Sequence, residues 1–288
     1  MRNSLQAVSV VRACANKQEG DAIMSDVPFR CHFAYTLRFW AAALAVALTF
    51  AMTPANAAVT FGGSAAGDDA GETNAATIVF ALSVSGDTTD LVITLTDTAT
   101  YKPNDGSDIL TSAFFTLAGD PTLTKVSGVL SAGCRVVESG TTLTIRGGVI
   151  GGSWAYAAGL HGAPGGANEG ISSAGYSLFG PCNLFPGSRL PGDGNPPDGV
   201  GGGLTSAMDD GSKYNGGLSG RPFIRDSAVF TLGDVPASFT LSEISNVSFG
   251  YGSLPDRVIT AMMVPEPTPI ALVAAGLLFL ALFSRRRC

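Results

Sequence analysis

Apolar and polar residues alternate along the chain from Ala58 to about Ile145, in short runs separated by turn-forming residues. The run DLVITLTDTA at 90–99 shows the pattern clearly, because its aliphatic residues at 91, 93 and 95 alternate mostly with threonines. A period of two places one set of side chains in a core and the other set in solvent. The pattern therefore predicts antiparallel strands that are buried on one face.

Runs of this kind predict strands, with no convincing helical stretch between them. The predicted strands occupy residues 77–84, 90–99, 109–117, 123–130, 134–138, 141–147, 226–234, 237–244, 246–252 and 256–264. Strands at this spacing are typical of an all-β fold, and we expect an antiparallel β-sandwich or a jelly-roll-like arrangement. We expect the last strands to pack with the first ones, so that residues 58–263 form one domain.

A glycine-rich segment, residues 147–220, interrupts the predicted strands. It holds 22 glycines in 74 positions and is expected to be a long insertion into the domain. Trp154, Tyr156 and Tyr176 lie among these glycines. We interpret them mainly as anchors that hold loops on the core, and stacking on sugar rings is the alternative.

Residues 1–57 have the features of a secretory signal region. Arg30 and Arg38 precede a run of fourteen mainly apolar residues at 39–52, and Ala55 and Ala57 follow in the A-x-A spacing that signal peptidase cleaves. At ~1.5 Å per residue the run spans roughly 21 Å, short of the ~30 Å hydrocarbon core of a bilayer. We predict a cleaved N-terminal signal helix and, because residues 1–23 are polar and mixed, a true start at Met24.

The net charge of the predicted domain bears on which kinds of macromolecule it can bind. Residues 58–264 carry 9 Lys and Arg against 19 Asp and Glu, a net charge of −10. A nucleic-acid partner requires clustered cations, so we expect none. A net-acidic body suits an extracellular medium.

Two cysteines, Cys134 and Cys182, lie between the predicted signal region and the C-terminal segment. In an oxidising compartment such a pair forms a disulfide more often than a metal site. We predict a Cys134–Cys182 bridge, with two free thiols as the alternative.

Chemistry-bearing motifs are few. His161 is the only histidine after the predicted signal, and the chain has no G-x-S-x-G, H-E-x-x-H or Walker sequence, so we expect no catalytic site and no cofactor. Acidic turns at 67–72, 104–108, 192–199 and 208–211 carry oxygen ligands of the kind that calcium prefers. None matches a known calcium-loop spacing, so solvated turns are the favoured interpretation and calcium stays an open alternative.

The C-terminal segment, residues 264–288, combines three features in a fixed order. Val264, Pro265, Glu266 and Pro267 precede fourteen apolar or small residues at 270–283, and three arginines follow, Arg285, Arg286 and Arg287. The arginines are expected to keep that end cytoplasmic. This order resembles the PEP-CTERM sorting signal of Gram-negative bacteria, with a trailing Cys288 as a minor departure.

The resemblance implies recognition and processing by exosortase after passage through the secretion machinery, and a link to exopolysaccharide and biofilm. The sequences DILTSAFFTLAG, SWAYAAG and GISSAGYSLFG are also similar to those of one uncharacterised group of such surface proteins. The resemblance thus predicts a non-enzymatic protein of the cell surface or extracellular matrix, structural or associated with polysaccharide. A secreted carbohydrate-active enzyme and a permanently tail-anchored membrane protein are the alternatives.

Overall fold

The computed structural model describes residues 58–138, 148–174, 189–192, 194, 199–212, 214, 217–253 and 257–265, all within one compact unit. These residues are mostly β-strand, and their only helical elements are 3₁₀ turns of three residues. The strands are β1 (Ala58–Ala66), β2 (Thr73–Ser85), β3 (Thr88–Asp97), β4 (Leu110–Leu117), β5 (Thr124–Leu130), β6 (Arg135–Glu138), β7 (Ala155–Ala158), β8 (Glu169–Ser172), β9 (Leu204–Thr205), β10 (Pro222–Arg225), β11 (Ser227–Gly233), β12 (Ile244–Tyr251), β13 (Val258–Thr260) and β14 (Met262–Val264).

The strands form two sheets. A six-stranded sheet has the order β14-β1-β2-β3-β11-β5, and an eight-stranded sheet has the order β13-β12-β4-β9-β10-β6, with β8 paired to β4 and β7 paired to β8. Among the described pairs only β9 with β10 is parallel. Late strands pair with early ones in both sheets, β11 with β3, β12 with β4 and β14 with β1, as the sequence predicted.

One hydrophobic core is shared by the two sheets. The inward positions 91, 93 and 95 of β3 are fully buried, which confirms the predicted alternation. Phe80 of the six-stranded sheet meets Phe115 of the eight-stranded sheet with ring centroids 5.1 Å apart. Each such buried side chain stabilises the fold by ~1.5–3 kcal/mol relative to exposure.

Two of the predicted strands are wrong in detail. The strand predicted at 237–244 is absent up to Ile244, where β12 begins, because Leu241–Glu243 is a 3₁₀ turn that buries Leu241 against the core. The predicted strand at 256–264 is divided at Ala261 into β13, which belongs to one sheet, and β14, which belongs to the other. The run at 141–147 lies outside the described residues.

The glycine-rich segment contributes directly to the eight-stranded sheet. Its described parts supply β7, β8 and β9, and Ala155 also forms an isolated bridge with Arg189. At Gly151 an added Cβ would lie 2.0 Å from the carbonyl oxygen of Pro191, so only glycine permits this close approach of two backbones. Part of the segment is therefore packed structure.

Candidate functional site at the chain ends

The two strands that adjoin the predicted processing signals lie side by side. β1 begins at Ala58, immediately after the predicted signal peptidase site, and β14 ends at Val264, where the predicted sorting signal starts. The two strands are antiparallel, with Thr60 opposite Val264 and Gly62 opposite Met262. Chain that leaves Val264 therefore heads in the direction from which chain enters Ala58.

Most residues of the predicted signals lie outside the described residues. This holds for Ala55, Ala57, Glu266 and Pro267, and also for Arg285, Arg286 and Arg287. Of the predicted sorting signal the structure describes Val264, at the end of β14, and Pro265, directly after it, and both are exposed. Within the described ranges no helix has the length and apolarity needed to cross a membrane.

β14 is an edge strand with three exposed apolar side chains. Met262 is 76% exposed, Met263 55% and Val264 44%. In the described part of the six-stranded sheet β14 pairs on one side only, with β1. A short edge strand held by one neighbour is a part of a sheet that can open locally without unfolding the rest.

The crossing from β13 to β14 depends on Gly63. A Cβ at this position would lie 2.8 Å from the carbonyl oxygen of Thr260 and 2.9 Å from Ile259 Cγ2. Backbone cannot move away as easily as a side-chain tip, so the crossing strand approaches β1 this closely only over glycine. The backbone N–H of Ala261 also donates to the carbonyl of Val247 at 2.9 Å, which fixes the crossing point.

Gly63→Ala is therefore expected to detach β14 and to reduce the free energy of unfolding by ~1–3 kcal/mol, the usual range for overpacking. Hydrogen exchange should show loss of protection at β14 before the core strands change. Gly217→Ala is the matched control, because an added Cβ there has no neighbour within 4 Å. Equal protection of β14 in parent and Gly63→Ala would contradict the packing argument.

The acidic turns come together at the opposite end of β1. Asn104 Nδ2 donates to Asp69 Oδ2 at 2.9 Å, and Ser107 Oγ donates to Asp68 Oδ2 at 3.0 Å, which joins the turns at 67–72 and 104–108. Arg257 forms an ion pair with Asp68. Lys102 Nζ lies 2.9 Å from Asp210 Oδ1 and links the turn at 208–211. Only part of 192–199 is described.

These carboxylates are occupied by donors of the chain itself. Asp108 Oδ2 accepts the backbone N–H groups of Asn104 and Asp105 at 2.8 and 3.0 Å, and Tyr101 OH donates to its other oxygen at 3.1 Å. In the described part of the chain, His, Cys, Asp and Glu form no group of three that could hold a metal ion. These hydrogen bonds cap the loops. Asp108 and Asp209 are buried, which differs from the solvated turns that the sequence predicted.

Two buried carboxyl groups were missed by the sequence reasoning. Asp97 is 2% exposed, and burial, with further repulsion from Asp108, raises its pKa to about 8. Glu169 is fully buried and accepts a hydrogen bond from Tyr156 OH, and burial raises its pKa to about 8. The burial of Asp97 could have been predicted, because the period-two pattern of β3 places position 97 on the same face as Leu95. The sequence around Glu169 carries no such signal.

The aromatic residues of the glycine-rich segment are anchors. Trp154 is fully buried and Tyr156 is 3% exposed, so neither presents a ring face to a sugar. This confirms the favoured interpretation for both residues. Tyr176 lies outside the described residues, and His161 lies exposed in a loop, as expected.

Cys134 lies half-buried before β6. Its Sγ is 3.7 Å from Asp226 Oδ2 and 3.6 Å from Ser227 Oγ. Cys182 lies outside the described residues. The Cys134–Cys182 bridge stays a prediction.

Cavities in the described part of the chain lie away from the chain ends, and two of them have polar linings that could contact a ligand. One of about 200 Å³ is lined by Asn74, Tyr251 and Arg257 together with apolar residues of β1 and β13. A second, of about 360 Å³, lies in the glycine-rich part and is lined by Ser153, Ser219 and Arg221 with glycines. Neither lining includes a histidine or a pair of carboxylates, so neither offers an acid–base pair for hydrolysis.

Comparison with models of known families, with curated proteins and with solved structures finds no match to this chain.

Proposed function

We propose that the chain is a non-enzymatic, exported protein that exosortase processes at its C-terminal segment and delivers to the cell surface or extracellular matrix. The observation that carries the proposal is the order in residues 264–288: the P-E-P triplet, an apolar run and three arginines. The apolar run of fourteen residues is short for a permanent span, which favours a transient membrane segment.

The pairing of β1 with β14 supports this proposal. Five residues separate Ala58 from the apolar run at 39–52, and five separate Val264 from the run at 270–283. Because the two strands are adjacent and antiparallel, both connections leave the sheet in the same direction. The two apolar segments can therefore insert into one bilayer while the β-rich body stays on the exported side.

The edge position of β14 also suits processing. A membrane protease or transpeptidase needs an extended, reachable backbone, and Pro265 and Pro267 favour extended chain. Val264 and Pro265 are exposed at the end of a strand that has one neighbour in the described part of the sheet. We propose that the body, a β-sandwich into which the glycine-rich segment is inserted, then contributes to the matrix or binds polysaccharide there.

The test is mass spectrometry of the exported protein, from the host and from a strain without its exosortase. We expect a C-terminus near Val264 in the host and an intact Cys288 in the mutant strain. The processed body is expected in the extracellular polysaccharide fraction. Glu266→Ala should block processing, whereas Thr268→Ala, in the same segment but outside the triplet, should not.

An intact Cys288 in the exported protein of the host strain would refute processing and favour a permanent tail anchor. Recovery of the processed body entirely in the free medium would refute its association with the matrix.

A further inference from the structure

We infer that one corner of the body, formed by the β14 edge and the tip of the β2–β3 hairpin, rests on the lipid bilayer while the C-terminal segment is in place. This inference rests on the proposed function and adds the orientation of the body on the membrane. The occupant of the corner is a lipid surface.

Exposed apolar side chains concentrate at this corner. Val84, near the hairpin tip, is 74% exposed, and Met262, Met263 and Val264 form the exposed edge strand. Four of the six large hydrophobic residues that are exposed in the described part of the chain therefore belong to the corner. Val264 is level with Val79 of β2, so Val84 lies five residues, or ~17 Å, further along the strands. The edge strand and the hairpin tip are two separate apolar points, and a bilayer that contacts both must lie along the line that joins them.

The lengths of the connecting segments place the bilayer next to the corner. Residues 53–57 and 265–269 each provide five residues, which span at most ~18 Å when fully extended. Ala58 lies opposite Ala81 of β2, so Val84 projects three residues, or ~10 Å, beyond the start of β1. The hairpin tip thus extends over most of the distance that the connections can cover, and the bilayer cannot be reached without approaching the tip or the edge.

The acidic turns lie at the other end of the same strands. β1 runs for nine residues from Ala58 to Ala66, ~30 Å of strand, before the turn with Asp68, Asp69 and Glu72. This turn is beyond the reach of either connection. The hairpin tip carries one carboxylate, Asp87, against three in the distal turn. An orientation with the corner on the membrane therefore places fewer negative charges next to anionic lipid headgroups.

The experiment places a photo-crosslinking residue at single positions of the full-length chain, reconstituted in vesicles of phosphatidylethanolamine and phosphatidylglycerol. Positions Met263 and Val84 test the corner, Ala70 in the acidic turn is the distal control, and Leu278 in the apolar run reports membrane insertion. Lipid adducts are counted by mass spectrometry. We expect on the order of tenfold more adducts at Met263 or Val84 than at Ala70, because interfacial apolar groups insert ~5–10 Å into the headgroup boundary.

The outcomes separate this inference from the proposed function. The orientation would be overturned if Leu278 formed lipid adducts while Met263 and Val84 formed no more of them than Ala70. The sorting proposal would then still stand. A lack of adducts at Leu278 would overturn membrane insertion and the orientation with it. Adducts at one or both corner positions above the Ala70 value support the inference.

Discussion

Trp154→Ala is expected to lower the free energy of unfolding by ~3–5 kcal/mol, the range for removal of a large buried aromatic residue. The side chain is fully buried, and its ring centroid lies 4.9 Å from that of Phe230 in the six-stranded sheet. Its indole Nε1–H donates to the carbonyl of Gly202 at 2.9 Å. One residue therefore connects two parts of the glycine-rich segment to the common core.

Urea denaturation of the whole chain should detect this decrease, because the free energy of unfolding of a domain of this size is only ~5–15 kcal/mol. Trp154→Phe is the variant with which Trp154→Ala should be compared. It keeps most of the apolar ring and removes the donor, which leaves the buried Gly202 carbonyl without its partner at a cost of ~1–3 kcal/mol. If Trp154→Ala were no more destabilising than Trp154→Phe, packing of the ring would not be what anchors the segment.

The sequence predicts the strands well where alternation and turn chemistry agree. β3 and β11 are such cases, since their alternating residues lie between dense turn signals and the structure keeps both runs within two residues. The run at 237–244 has the same alternation but forms no strand before Ile244, because Phe239 and Leu241 reach the core from an irregular segment. Alternation over eight residues indicates which side chains are buried, but it does not determine whether the backbone pairs with another strand.

The features that define the candidate site depend on contacts distant in sequence. The switch between sheets at Ala261 requires Gly63, nearly two hundred positions earlier, to leave room for the crossing backbone. Likewise, the adjacency of Ala58 and Val264 follows from the pairing of the first strand with the last. Local propensity carries no information about either contact. The proposed sorting signal, in contrast, is a local pattern within residues 264–288.

The pH dependence of stability provides the second large effect. In the folded protein the pKa of Asp97 and that of Glu169 rise to about 8, from ordinary values of 3.8 and 4.5. At a pH between the ordinary and the raised pKa, each group is therefore protonated in the folded state and ionised in the unfolded chain. Between these limits the folded state binds more protons, so stability falls as pH rises, by ~1.4 kcal/mol per pH unit for each group. Below about pH 4 both states are protonated, and above about pH 8 both are ionised, so the loss is then complete.

Asp97→Asn and Glu169→Gln test this dependence, because each substitution removes the titration and nearly preserves the shape. Each is expected to reduce the fall in unfolding free energy between pH 5 and pH 8 by on the order of 3–4 kcal/mol. Asp87→Asn, at an exposed hairpin turn, is the control for the loss of one carboxyl group outside the core. The measurement is urea denaturation at several pH values, read as the difference between variant and parent, which cancels the other titrating groups. If the unfolding free energies of parent and Asp97→Asn changed with pH in parallel, Asp97 would already be ionised inside the folded domain. That state would require a positive partner for Asp97 Oδ2. This oxygen accepts no hydrogen bond among the described residues.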